Sequence, residues 1–286
     1  MFPMKCKEKE LRMIWEVEKN NKTSFLVGTA HFFPYSFRNS LSRYIKYART
    51  VLFEGPLDDD NMSKVVKAGL ETGNAHHLFD KLDRQTIDHI SKATALSSRE
   101  ENYFFIFSLF TSSVENHVYT MVKGMKPWLA FFTIWSKFLE KNGWRYSVDT
   151  EAYGIAREMG KKVVFLETIE EQIEVLESLV PEQIIDFLRR VDRWNVYAQD
   201  YVKWYLDGDL EKIKSNVNRF PTRHPYIIDR RDQILYERML AYLEVGDAVV
   251  CVGAPHVRGI SRMLLADGYQ IKGRCPRKNT NPHFSY

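Results

Sequence analysis

The sequence predicts an α/β fold: a central, mostly parallel (mixed) sheet with an N-terminal hairpin, flanking helices and a helical insertion. Three observations predict it. Short runs rich in β-branched and aromatic residues recur without polar–apolar alternation, as in strands covered on both faces. Helical periodicity fills the segments between them, and strand–helix alternation is the mark of a parallel sheet. The composition, 44% hydrophobic and 27% charged over 286 residues, is that of a folded chain and excludes extensive disorder.

The elements come in this order. Residues 13–18 and 23–27 flank Lys19-Asn20-Asn21-Lys22, which reads as a β-hairpin. Three further apolar runs are Val51-Leu52-Phe53, Val163-Val164-Phe165-Leu166 and Ala248-Val249-Val250-Cys251-Val252. Ala152, Ile155, Ala156 and Met159 step along one helix face, with Gly160 as a stop. Thr168-Ile169-Glu170-Glu171 reads as a capping box. A long helix is expected from Pro181 towards Trp204, and others over 227–243 and 257–266. Residues 62–146 carry helical stretches only and are expected to be an insertion or lid within one domain spanning 1–286.

Charge and cysteine content narrow the function. A formal net charge of +4 is too small to suggest a nucleic-acid binder. The basic residues Lys272, Arg274, Arg277 and Lys278 read as a solvated end, with 274–286 a basic tail. Cys6, Cys251 and Cys275 form no C-x-x-C, which suits a reducing compartment. The charged N-terminus is unlike a signal peptide. The apolar runs 103–110 and 128–135 fall short of the ~18 residues a membrane span requires. The expectation is a cytoplasmic protein without a membrane span; its oligomeric state is not legible.

Chemistry concentrates where the strands end. His31 follows the first parallel strand in Gly28-Thr29-Ala30-His31, and His256 follows the last in Gly253-Ala254-Pro255-His256. Glu54 follows Phe53, and Glu167 follows Leu166. Ligands bind at the carboxyl ends of parallel strands, so these four side chains are expected to face one crevice. A lone G-x-x-H is weak, and a third match, Gly73-Asn74-Ala75-His76, comes after no apolar run and is rejected on that context. Glycine after a strand is expected to permit a tight turn or φ > 0.

Two imidazoles and one carboxylate can hold Mn, Co or Zn with positions open for water. His31, Glu54 and His256 are the expected ligands, Glu54 because Gly55-Pro56 turns the chain sharply after it. Bound water would then become a nucleophile near neutral pH. Glu167 reads either as a base or orienting group or as an acid stabilising a helix N-terminus. Arg231 and Asp232 read as substrate-binding residues, an anion clamp, or alternatively as a surface ion pair. Asp149 reads as a helix cap. His76, His77, His89, His117, His224 and His283 lack strand-end context.

With Pro34, Gln172, Gly208-Asp209, Gly259 and Gly268-Tyr269, this ordered set resembles the TraB/PrgY–GumN–TIKI family over about residues 12–273. The resemblance implies a divalent-metal-dependent hydrolase fold, with the paired histidines at His31 and His256 and the strand-end carboxylate at Glu54. Animal TIKI members are metalloproteases acting on Wnt signals, and bacterial TraB/PrgY members are linked to shutdown of peptide pheromones. The wider superfamily is similar to erythromycin-esterase-like and haem-binding ChaN-like proteins, so the scaffold alone does not fix chemistry. The expected function is a metal-dependent, peptidase-like hydrolase of a peptide or small-molecule substrate. The alternatives are a non-catalytic peptide or haem binder and a metal-independent esterase.

Overall fold

The computed structural model describes residues 7–70, 76–95, 117–215 and 219–273. Six strands form one sheet: β1 (Ile14–Lys19), β2 (Lys22–Thr29), β3 (Thr50–Phe53), β4 (Lys162–Phe165), β5 (Ala248–Gly253) and β6 (Gln270–Gly273). Their order is β4-β3-β5-β2-β1-β6. β4, β3, β5 and β2 run parallel, whereas β1 pairs antiparallel with both β2 and β6. The α/β class, the mixed sheet and the hairpin are as the sequence predicts.

Local chemistry explains the hairpin. Asn20 and Asn21 both take positive φ, 51° and 58°, as the mirror-image two-residue turn requires, and asparagine tolerates that region best after glycine. β3 is buried throughout and β5 along all but its last residue. Both faces are covered, which is why residues 51–53 and 248–252 read as continuous apolar runs; Thr50 at the start of β3 is the one buried polar side chain in these two strands. Burying each such Val or Leu stabilises by ~1.5–3 kcal/mol.

Four helical features matter for the site. The Val148–Glu158 helix precedes β4 and buries Ala152, Ile155 and Ala156, with Gly160 in a left-handed turn after it. The Ile169–Glu177 helix opens on the expected capping box of Thr168 and Glu171. The Pro225–Val245 helix leads into β5, and the Ala254–Ala266 helix leaves it. Between residues 62 and 146 the regular elements among the described residues are helices, with one isolated bridge between Tyr146 and Phe33.

The structure corrects several details. The helix expected from Pro181 to Trp204 is broken: Pro181–Arg189 ends, a 3-10 turn spans Val191–Arg193, and Trp194–Asp207 starts anew. The break lets the Trp194 indole N–H donate to the Phe187 carbonyl at 3.1 Å while the two rings stack. Met159 lies beyond its helix and is exposed. No apolar run announces β6, because its four residues are only half-buried or exposed. Lys272 lies in it and pairs with Glu18 at 2.8 Å. Cys251 is buried and free in β5. Cys6, Cys275, the 103–110 run and the 274–286 tail lie outside the described residues, as do Gly73 to Ala75 of the rejected motif.

Candidate active site

The parallel strands stop in register, Thr29 opposite Gly253 and Phe53 opposite both Cys251 and Phe165. Their carboxyl ends therefore present Glu167, Glu54, His256 and His31 in that order across the sheet. A backbone bond from Glu167 N–H to the Glu54 carbonyl (2.7 Å) extends the pairing one step beyond the strands. His31, Glu54, Arg231 and His256 line one cavity of about 250 Å³. Phe131, Phe132 and Trp135 of the Pro127–Lys141 helix supply much of its apolar wall.

Arg231 ties the carboxylates together. Its Nε and Nη2 donate to the two oxygens of Glu167 at 2.8 and 2.6 Å, and Nη2 also donates to Glu54 Oε1. All three side chains are buried or nearly so. Glu54 Oε2 accepts the Gly253 N–H at 2.8 Å. Burial alone would push the Glu54 carboxyl up, but Arg231, then His256 and His31, hold it well below the usual range. Burial likewise opposes the Arg231 charge, and Glu54 and Glu167 outweigh it. Arg231 is neither a surface ion pair nor a free anion clamp.

Each histidine has its own aspartate. His256 Nδ1 lies 2.6 Å from Asp232 Oδ1, and its Nε2 lies 3.8 Å from Glu54 Oε1. Burial raises the Asp232 pKa, and the His256 bond works against that rise. His31 Nδ1 lies 3.0 Å from Asp149 Oδ2; that oxygen has no well-aligned donor among the described residues, so the contact is an ion pair rather than a straight hydrogen bond. The His31 side chain is 68% exposed and lines the cavity. Asp149 raises its pKa to about 9 against the desolvation that would lower it. Asp149 thus favours the imidazolium form of His31.

The chain around these pairs explains them. Val148 N–H donates to the Ala30 carbonyl, and Phe33 exchanges backbone bonds with Tyr146. The loop carrying His31 is thereby pinned to the start of the Val148–Glu158 helix, where Asp149 sits in the first turn. Ser147, not Asp149, caps that helix, accepting from Thr150 N–H at 3.2 Å. His256 stands on the first turn of the Ala254–Ala266 helix, not on a loop. Arg231 and Arg238 lie seven residues apart on one face of the Pro225–Val245 helix; Arg238 holds the Leu166 carbonyl at 2.6 Å and both oxygens of Glu171. Asp232 reaches the Ala254–Ala266 helix instead.

The glycines act through space, not through φ. Neither Gly28, Gly55, Gly253 nor Gly259 has positive φ. A Cβ on Gly28 would lie 3.1 Å from Val257 Cγ2, and one on Gly253 3.2 Å from Glu54 Oε2. On Gly259 it would strike Asp232 Oδ2 at 1.8 Å, and on Gly55 the Gln172 amide at 2.1 Å. Positive φ, one of the two expectations for these glycines, is therefore not what they supply; they permit close approach of a helix or a side chain.

A family model for the TraB/PrgY/gumN family matches residues 13–273. The chain belongs to that family. No curated protein and no solved structure matches it. No helix among the described residues is long and apolar enough to cross a membrane.

A divalent ion needs deprotonated donors grouped within its reach. With Nδ1 of each histidine turned to an aspartate, Nε2 is the nitrogen left for a ligand, the usual arrangement of a metal-bound imidazole. Glu54 already has a partner on each oxygen, and among the described residues no three His, Cys, Asp or Glu side chains are grouped to hold an ion. As a set, the donors do not fit a three-ligand centre in this arrangement. Sequence reasoning placed His31, Glu54, Glu167, Arg231, Asp232 and His256 at the site, and the structure brings them together; it missed Asp149 and Arg223.

Proposed function

We propose that the chain is a hydrolase of a carbonyl compound, an ester or an amide, peptides included. The observation that carries this reading is the pair of aspartate-oriented histidines on one cavity, with ionised Glu54 beside them. His256 takes a proton from water at Nε2 while Asp232 holds Nδ1, the division of labour of a histidine general base. Glu54 Oε1, 3.8 Å from Nε2, stabilises the imidazolium as it forms. His31, already protonated, donates towards the developing oxyanion or the leaving group. Glu167 and Arg231 are positioning residues, because they act by holding Glu54. Within the 62–146 stretch, the Pro127–Lys141 helix is read as substrate cover, since Phe131, Phe132 and Trp135 come from it.

A divalent metal, Mn, Co or Zn, held by His31, Glu54 and His256 is the second reading, favoured by the orientation of both imidazoles. It requires His31 to lose its proton and Glu54 to release Arg231.

The test is hydrolysis of a panel of aryl esters, aryl amides and short peptides after exhaustive chelation, then with each metal restored. Metal-free turnover that disappears in His256→Ala supports the first reading. Turnover only with metal, bound stoichiometrically and lost in a His31→Ala/His256→Ala variant, supports the second. No turnover in either arm defeats the hydrolase.

A further inference from the structure

Arg223 stands in the same cavity, and among the described residues no acid matches it. Of the cations lining that space, His31 has Asp149, and Arg231 has Glu54 and Glu167. No carboxylate among the described residues stabilises the Arg223 charge, and burial lowers its pKa. The contrast with Arg219 is direct: it too lies over aromatic rings, but it pairs with Asp200 at 2.8 Å.

The guanidinium is held in place rather than left to wander. Its carbon lies 4.6 Å from the ring centroids of both Tyr201 and Phe220. The 3-10 turn Pro221–Arg223, closed by a bond from Arg223 N–H to the Phe220 carbonyl, fixes its backbone. Two aromatic faces attract the cation, but neither they nor any carboxylate among the described residues pairs with its N–H donors. A fork of donors in a mostly apolar space is costly unless an anion accepts from it. A carboxylate matches that fork with two parallel bonds.

We propose that Arg223 binds the carboxylate of the substrate, so that this cavity selects compounds carrying an apolar body, a carboxylate and a scissile carbonyl. N-acyl amino acids and the C-terminal residue of a short peptide share that chemistry. Trp135 and Trp144 in the wall give the apolar body its surface. The inference rests on the hydrolase reading for the scissile carbonyl, but the carboxylate site can be tested without turnover.

The experiment is calorimetric titration of the full chain with matched acid and amide pairs: 3-phenylpropionate and its amide, N-acetylphenylalanine and its amide, and Leu-Phe and its amide. In the wild type at least one acid should bind about tenfold or more tightly than its amide, a fold-change of the size charge-assisted pairing gives. The preference should vanish in Arg223→Gln, weaken in Arg223→Lys, and persist in Arg219→Gln. Acid preference only in the third pair would mark a peptide terminus as the source; preference in the first would mark a small acid. If no acid outbinds its amide on the wild type, or if Arg223→Gln keeps the preference, the proposal is overturned. Should Arg223→Gln not fold, an unweakened preference in Arg223→Lys overturns it equally. An Arg223-dependent preference in a chain that hydrolyses nothing leaves this site standing and removes the hydrolase reading alone.

Discussion

Asp149 Oδ2 lies 3.0 Å from His31 Nδ1, and this approach sets the charge of an imidazole that faces the cavity. The two residues come from separate parts of the chain, joined because the loop after β2 is hydrogen-bonded to the start of the Val148–Glu158 helix. Asp149 is the largest cause of the raised His31 pKa, and Glu54 adds to it.

The first prediction concerns that charge. The imidazole of His31 should titrate at about 9 in the wild type and below 7, near or under the free value of ~6.5, in Asp149→Asn. Two-dimensional NMR of the histidine ring carbons reads this directly. Because the folded value is the higher one, the ion pair favours the fold fully below the unfolded value and fades as pH rises through about 9. An unchanged midpoint in Asp149→Asn would show that the pair does not control His31.

Arg231 gives the second prediction. Arg231→Gln leaves Glu54 and Glu167 buried together without their cation. Breaking a buried pair in this way costs about 3–5 kcal/mol, measurable by urea unfolding at pH 7. Glu54 is held low in the wild type, so its favourable contribution is present above the unfolded value and is lost only in strong acid. In the variant the sign reverses: stability should rise as pH falls from 7 to 5, because one carboxylate takes up a proton. A variant less stable at pH 5 than at pH 7 contradicts the account.

Gly259 provides a third. Gly259→Ala drives a methyl group into Asp232 Oδ2, so Asp232 must leave His256 Nδ1. Gly259→Ala and Asp232→Asn should then lower turnover alike, by about 10²–10⁴-fold as for a lost general base. The double variant should fall no further than either single change. Additive losses would mean that the glycine and the aspartate act separately.

Much of this site was legible because parallel strands buried on both faces write themselves as apolar runs, and the residues just after each run lie on one sheet edge. Glu54, Glu167, His31 and His256 stand out that way. Asp149 does not, since an acid in a helix's first turn has an ordinary local use, and only the long-range pinning of the loop after β2 gives it His31. The role of Asp232 likewise depends on two helices crossing at Gly259. The break at Arg190 carries neither proline nor glycine, and β6 is too short and open to show a pattern. Arg223 has no signal at all, because its meaning lies in having no carboxylate partner among the described residues.

The measurement that bears most directly on the account is the pH profile of turnover from pH 5 to 10, wild type against His256→Gln, on the best substrate of the chelated ester and amide panel. The account predicts an alkaline limb near the His31 value of about 9 in the wild type and a loss of at least ~10²-fold in His256→Gln. A rate that His256→Gln leaves intact, or that is still rising at pH 10, contradicts a site built on a protonated His31 and a basic His256.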